Sequence, residues 1–74
     1  MNRLARLTGK ELLAALRRAG FDVVRITGSH YHLYKPGADL VTIPLHAGEI
    51  IKPKTLKSVL DQAGMTVDEL GALL

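Results

Sequence analysis

Apolar residues along this chain follow two spacings, and the switches between them mark its elements. Leu12, Leu13, Leu16 and Ala19 recur with a helical period. Ahead of them, Leu7-Thr8-Gly9-Lys10-Glu11-Leu12 carries a helix start. Thr8 is the N-cap, Glu11 three residues on completes a capping box, and Leu7 is placed to staple against Leu12. Gly20 stops the helix at the usual C′ position, after Arg17 and Arg18 in its last turn. The two arginines are partners for the helix dipole, with nucleic-acid contact as the alternative. The period then shortens. Residues 21–26 are rich in β-branched side chains and 30–34 read His-Tyr-His-Leu-Tyr, which predicts two strands joined at Thr27-Gly28-Ser29. Pro36-Gly37-Ala38-Asp39 is a second turn, and 40–44, with Val41 and Ile43 alternating, a third strand. Connections this short predict an antiparallel meander.

Helical spacing returns after a loop over 45–51. Pro53 stands where a helix can begin, since its missing N–H costs nothing in the first turn. Leu56, Val59, Leu60 and Ala63 form a narrow stripe, and Gly64 ends it. Met65-Thr66-Val67-Asp68-Glu69-Leu70 repeats the capping pattern of residues 7–12 and opens a short last helix with Leu70, Leu73 and Leu74. The order is α-β-β-β-α with one extra helix. That predicts an α+β fold, a three-stranded antiparallel sheet with helices on one face. Residues 1–6 carry two arginines and little pattern, a lead-in to the first helix.

Composition narrows the class. A chain of 74 residues has room for one modest core, so 1–74 is read as a single domain. An apolar content of 47% is that of a globular chain. Without cysteine there is no disulfide framework, no thiolate nucleophile and no Cys-based zinc site. No apolar run approaches the ~20 residues of a membrane span, so a soluble cytoplasmic protein with no membrane partner is expected. The net charge of +3 conceals an asymmetry: every Lys and Arg lies at or before Lys57, while Asp61, Asp68 and Glu69 make the tail acidic. A basic body of this kind suits a polyanion partner, or equally a solvated surface.

Titratable groups gather beside a turn at one place, Gly28-Ser29-His30-Tyr31-His32. Two histidines two positions apart on a strand project from one face. An imidazole can take and give a proton near neutrality, which general acid–base catalysis needs. Beside a Gly-Ser turn, His30 could also receive a phosphate held by turn amides and the Ser29 hydroxyl. RNA carries its own nucleophile in the 2′-hydroxyl. A base, an acid and positive charge are then enough to cleave it, and Lys10, Arg25, Lys35 and Lys52 are candidates for that charge. The competing reading of His30 is a half-buried strand histidine without chemistry. His32 could pair with His30 as acid and base, or join it and His46 around zinc. No Asp or Glu lies near the pair, so neither metal nor cofactor is expected. Tyr31 alternates with His30 and should face the core. Tyr34 shares the histidine face, where it could stack on a base. No phosphate-loop, dinucleotide or nucleophile-elbow motif is present.

Five stretches, in order, resemble the HicA-type toxins of bacterial and archaeal toxin–antitoxin pairs: Thr8-Gly9-Lys10-Glu11-Leu12, Ala19-Gly20-Phe21, Arg25-Ile26-Thr27-Gly28-Ser29-His30, Val41-Thr42-Ile43-Pro44-Leu45-His46, and Ile51-Lys52-Pro53-Lys54-Thr55-Leu56 with Gln62-Ala63-Gly64. The resemblance covers residues 8 to 64. It implies a double-stranded-RNA-binding-like fold and an endoribonuclease that cleaves mRNA and blocks translation until a HicB-type antitoxin covers its active site. The family's essential histidine follows Gly-Ser, which places the role on His30, with Gly28 and Ser29 in the same motif. His46 matches a recurrent family position without a role attached. The usual Pro-Gly-Thr-Leu is here Pro53-Lys54-Thr55-Leu56, which adds a charge that could meet phosphate. The rival readings are a non-catalytic RNA-binding module of the same fold and a small subunit whose basic face recognises an acidic protein.

Overall fold

The computed structural model describes residues 6–74, so the lead-in up to residue 5 lies outside the described residues. The elements are α1 (Gly9–Arg18), β1 (Asp22–Thr27), β2 (His30–Tyr34), β3 (Val41–Pro44), α2 (Pro53–Ala63) and α3 (Val67–Leu73). The strands form one antiparallel sheet in the order β1-β2-β3. This is the α+β arrangement the periodicities predict.

Both capping boxes form. The Glu11 N–H donates to the Thr8 hydroxyl and the Thr8 N–H to the Glu11 carboxylate, at 3.2 and 2.9 Å. Thr66 and Glu69 repeat the exchange at the start of α3. Bonds to the carboxylates from the backbone N–H and then the side chain of Thr8 and Thr66 hold the carboxyls of Glu11 and Glu69 below their usual range, because they favour the ionised form. Helix α2 starts at Pro53 with no side-chain cap and ends at Gly64 in the left-handed region. Arg18 reaches across to donate to the Leu73 carbonyl at 2.7 Å. It therefore also serves the C-terminus of α3, while Arg17 and Arg18 both stand in the last turn of α1.

Leu12, Leu16, Phe21, Leu33, Val41, Ile43, Leu56, Val59 and Leu70 are the fully buried side chains. Ala15 is also buried, whereas Leu13 and Ala19 only border the core. The stripe of α1 is thus rotated slightly from the one its leucines suggest. The α2 stripe holds, with Ala63 at its margin. Of the last three leucines Leu70 is buried and Leu74 exposed.

Strand β1 carries an irregularity that no sequence pattern announced. Val23 pairs with Leu33 and Arg25 with His32, which leaves Val24 as an extra residue, a β-bulge. Strict alternation would put Arg25 and Thr27 on the side of Val23, facing the helices. The bulge shifts them by one, so they sit opposite His32 and His30 on the open face. Val24 is left 56% exposed. Tyr31 and Leu33 point the other way and pack in or against the core, as alternation from His30 requires.

Candidate active site at one end of the sheet

The β1–β2 hairpin closes through Gly28 and Ser29. Gly28 has φ 59 and no other residue in the described chain but glycine has positive φ. Glycine first, with Ser29 at negative φ, is the arrangement of a II′ loop, whose twist matches the strands it joins. A Cβ at Gly28 would meet nothing within 4 Å, so the backbone conformation, not space, calls for glycine.

His30 opens β2 directly after this loop, paired with Thr27 on one side and Pro44 on the other. It is exposed. Among the described residues no side chain hydrogen-bonds its ring.

His32 differs. Its Nε2 lies 2.8 Å from the Thr27 hydroxyl and its Nδ1 3.0 Å from the Thr42 hydroxyl. The ring therefore spans all three strands, from β1 to β3. The path continues to α2, where Gln62 accepts from the Thr42 N–H at 3.0 Å and its amide donates to the Ser58 hydroxyl at 3.3 Å. That N–H is on the outer side of β3, so Gln62 also covers an otherwise unpaired strand edge. Among the described residues no group of three metal-ligating side chains gathers.

Two backbone bonds hold the long loop after β3 against this end. The Leu45 N–H donates to the Ser29 carbonyl at 2.7 Å and the Ile51 N–H to the Leu7 carbonyl at 2.7 Å. Ile50 forms an isolated bridge with Thr8. Gly9, at the start of α1, allows the closest approach: a Cβ there would stand 3.2 Å from the Pro44 carbonyl oxygen and the Leu45 Cα. Between the loop and α2 lies a cavity of about 260 Å³, lined by Pro44, His46, Glu49, Ile50, Ile51, Lys52 and Thr55.

The candidate residues separate into two groups. Gly28, Ser29, His30, His32, Arg25 and the loop residues His46 and Lys52 share the hairpin end of the sheet. Lys10 follows Gly9, whose backbone packs against Pro44 and Leu45 at this end. Tyr34 and Lys35 lie at the other end. Tyr34 pairs with Asp22, four residues along β2 from His30, or about 13 Å at the usual strand rise. The Lys35 ammonium sits 5.6 Å from the centre of the Phe21 ring, a cation–π contact. Sequence reasoning missed Thr27 and Thr42 as partners of His32, and Glu49 and Ile50 as cavity walls. All four depend on register and loop path, which carry no local signal.

An α+β chain that presents a turn-borne histidine on an otherwise open sheet face is the class this geometry defines. Residues 9–65 match the family described as HicA toxin of bacterial toxin-antitoxin, and the chain belongs to that family. It is thus the toxin of a toxin–antitoxin pair, with an antitoxin as its partner. No curated protein matches the chain. Among the described residues no helix is long and apolar enough to cross a membrane.

Proposed function

We propose that this toxin is a metal-independent endoribonuclease that cleaves mRNA in the cytoplasm, with His30 as its general acid or base. What carries the reading is the contrast between the two histidines: the His32 ring is held at both nitrogens, while the His30 ring is exposed and unengaged. A substrate phosphate beside the Gly28-Ser29 loop would lie within reach of the imidazole, the Ser29 hydroxyl and Arg25 across the strand. His30 then removes the proton from a 2′-hydroxyl as it attacks the adjacent phosphorus, or protonates the departing 5′-oxygen. Positive charge from Lys10, Arg25 and Lys52 stabilises the charge that develops on the phosphate oxygens. His32 keeps its place as a strut. A HicB-type antitoxin is proposed to cover the open face around His30 and so exclude mRNA.

Purified protein is incubated with RNA, and with the same RNA carrying 2′-deoxyribose at each cleaved position. Cleavage is expected to leave a 2′,3′-cyclic phosphate and a 5′-hydroxyl, and to stop at deoxy positions. His30→Ala should lose at least ~100-fold in rate, the low end of what a positioned acid or base contributes, with an unchanged circular dichroism spectrum. RNA binding without cleavage by the wild type would instead favour the non-catalytic RNA-binding module.

A further inference from the structure

We propose that the cavity beside Pro44 is a nucleobase subsite, and that it takes the base next to the scissile phosphate with a preference for guanine. The inference rests on the ribonuclease reading above. Three observations lead to it. The first is position. Pro44 is the β3 partner of His30 and also a wall of the cavity. Cross-strand partners share a face and stand about 5 Å apart, so a nucleotide whose phosphate meets His30 has this cavity beside the neighbouring strand residue for its base.

The second is shape and stiffness. At about 260 Å³ the cavity lies just under the usual range for drug-sized ligands, which suits one planar base and little more. Its loop is tied at both ends, at Leu45 to Ser29 and at Ile51 to Leu7, so the hollow exists before any ligand arrives. Single-stranded RNA is commonly read by splaying a base into such a site.

The third is chemistry. Pro44 and the half-exposed Ile50 offer apolar surface for the face of a ring. Among the described residues no side chain hydrogen-bonds Glu49, His46 or Lys52. Glu49 is the one acidic residue among those lining the cavity, offset there by Lys52, so the lining carries no net positive charge at neutral pH to favour a phosphate over a neutral base. The carboxylate favours a base edge that offers donors. Guanine presents N1–H and the N2 amino group side by side, matching the two oxygens of Glu49. Cytosine and adenine offer one amino group each, and uracil flanks its single N3–H with two carbonyls that face the carboxylate unfavourably. Lys52, which also lines the cavity and is exposed, is then available to the phosphate chain.

The test uses two readouts. Cleavage sites are mapped for the wild type and for Glu49→Gln on RNAs that vary the bases flanking the cut. The wild type should prefer guanine on one side, and Glu49→Gln should reduce that preference about tenfold, as expected for a lost pair of base hydrogen bonds. Separately, uncleavable 2′-deoxy trinucleotides with guanine or uracil are titrated while backbone amide signals are followed. Guanine should shift the amides of Glu49, Ile50 and Thr55 at lower concentration than uracil.

If cleavage depends on His30 but neither base preference nor these amides respond, the subsite is wrong and the nuclease stands. If guanine binds in the cavity without any cleavage, the subsite stands and the nuclease reading falls. If those amides shift only when the antitoxin is added, the cavity is a protein-docking feature and the proposal is overturned.

Discussion

At the scale of single residues, the two histidines of β2 should respond differently to substitution. His32 makes two side-chain hydrogen bonds, at 2.8 and 3.0 Å, which tie β1 and β3 to the middle strand. Each bond of this kind contributes a net ~0.5–1.5 kcal/mol, so His32→Ala should cost about 1–3 kcal/mol in urea unfolding. His30→Ala removes no such bond and should leave the unfolding midpoint within error while abolishing cleavage. A reversed result, with His30 stabilising and His32 dispensable to the fold, would exchange their roles. Gly28 gives a further check. Its φ of 59 is strained for alanine, and Gly28→Ala should lose roughly 1–3 kcal/mol although open space surrounds it, whereas Gly28→Asn, a residue such turns accept, should lose less. The sequence made His30 and its Gly-Ser neighbours visible because their chemistry is local. The strut of His32 was not, since Thr27 and Thr42 become its partners only once the register is set.

At the scale of elements, the ends of α1 and α3 are built alike and should fail alike in acid. Both boxes hold a glutamate below its usual carboxyl value of 4.5. A group whose folded value is depressed adds stability above its unfolded value, and loses it as the pH falls toward the folded one. Stability from the boxes should therefore be intact at neutral pH and decline as the pH drops below 4.5. Gln at the same position keeps the reciprocal bond and does not titrate. Urea unfolding of Glu11→Gln/Glu69→Gln should accordingly vary less with pH below that point than the wild type. Equal acid sensitivity in both proteins would remove the boxes from the account. Thr8→Ala should cost about 1 kcal/mol at neutral pH by loss of the cap. These ends were readable because a capping box is contained within four consecutive residues. The bulge at Val24 was not, because Val23-Val24 fits a regular strand equally well and only the pairing with β2 reveals the extra residue.

At the scale of the whole molecule, the legible part was what each segment says by itself. The helical stripes, the turn residues and the alternation in β2 predicted six elements, their order and the core-facing side of Tyr31. What the chain did not disclose was which charges end up together. Lys10, Arg25, Lys35 and Lys52 look equivalent in sequence, yet the fold carries Lys35 to the far end, over Phe21, and collects the others near the hairpin. That division has a measurable consequence. For single strands the logarithm of the binding constant falls with the logarithm of salt by about 0.7 per phosphate neutralised. Binding of a single-stranded oligonucleotide to the His30→Ala protein should then lose roughly 0.7 of slope for each of Lys10→Ala, Arg25→Ala and Lys52→Ala. Lys35→Ala should leave the slope unchanged, because its ammonium faces a ring away from the path past His30. If all four substitutions lowered the slope equally, the strand would be tracking the net charge of the body, and the hairpin end would lose its claim to be where RNA is held.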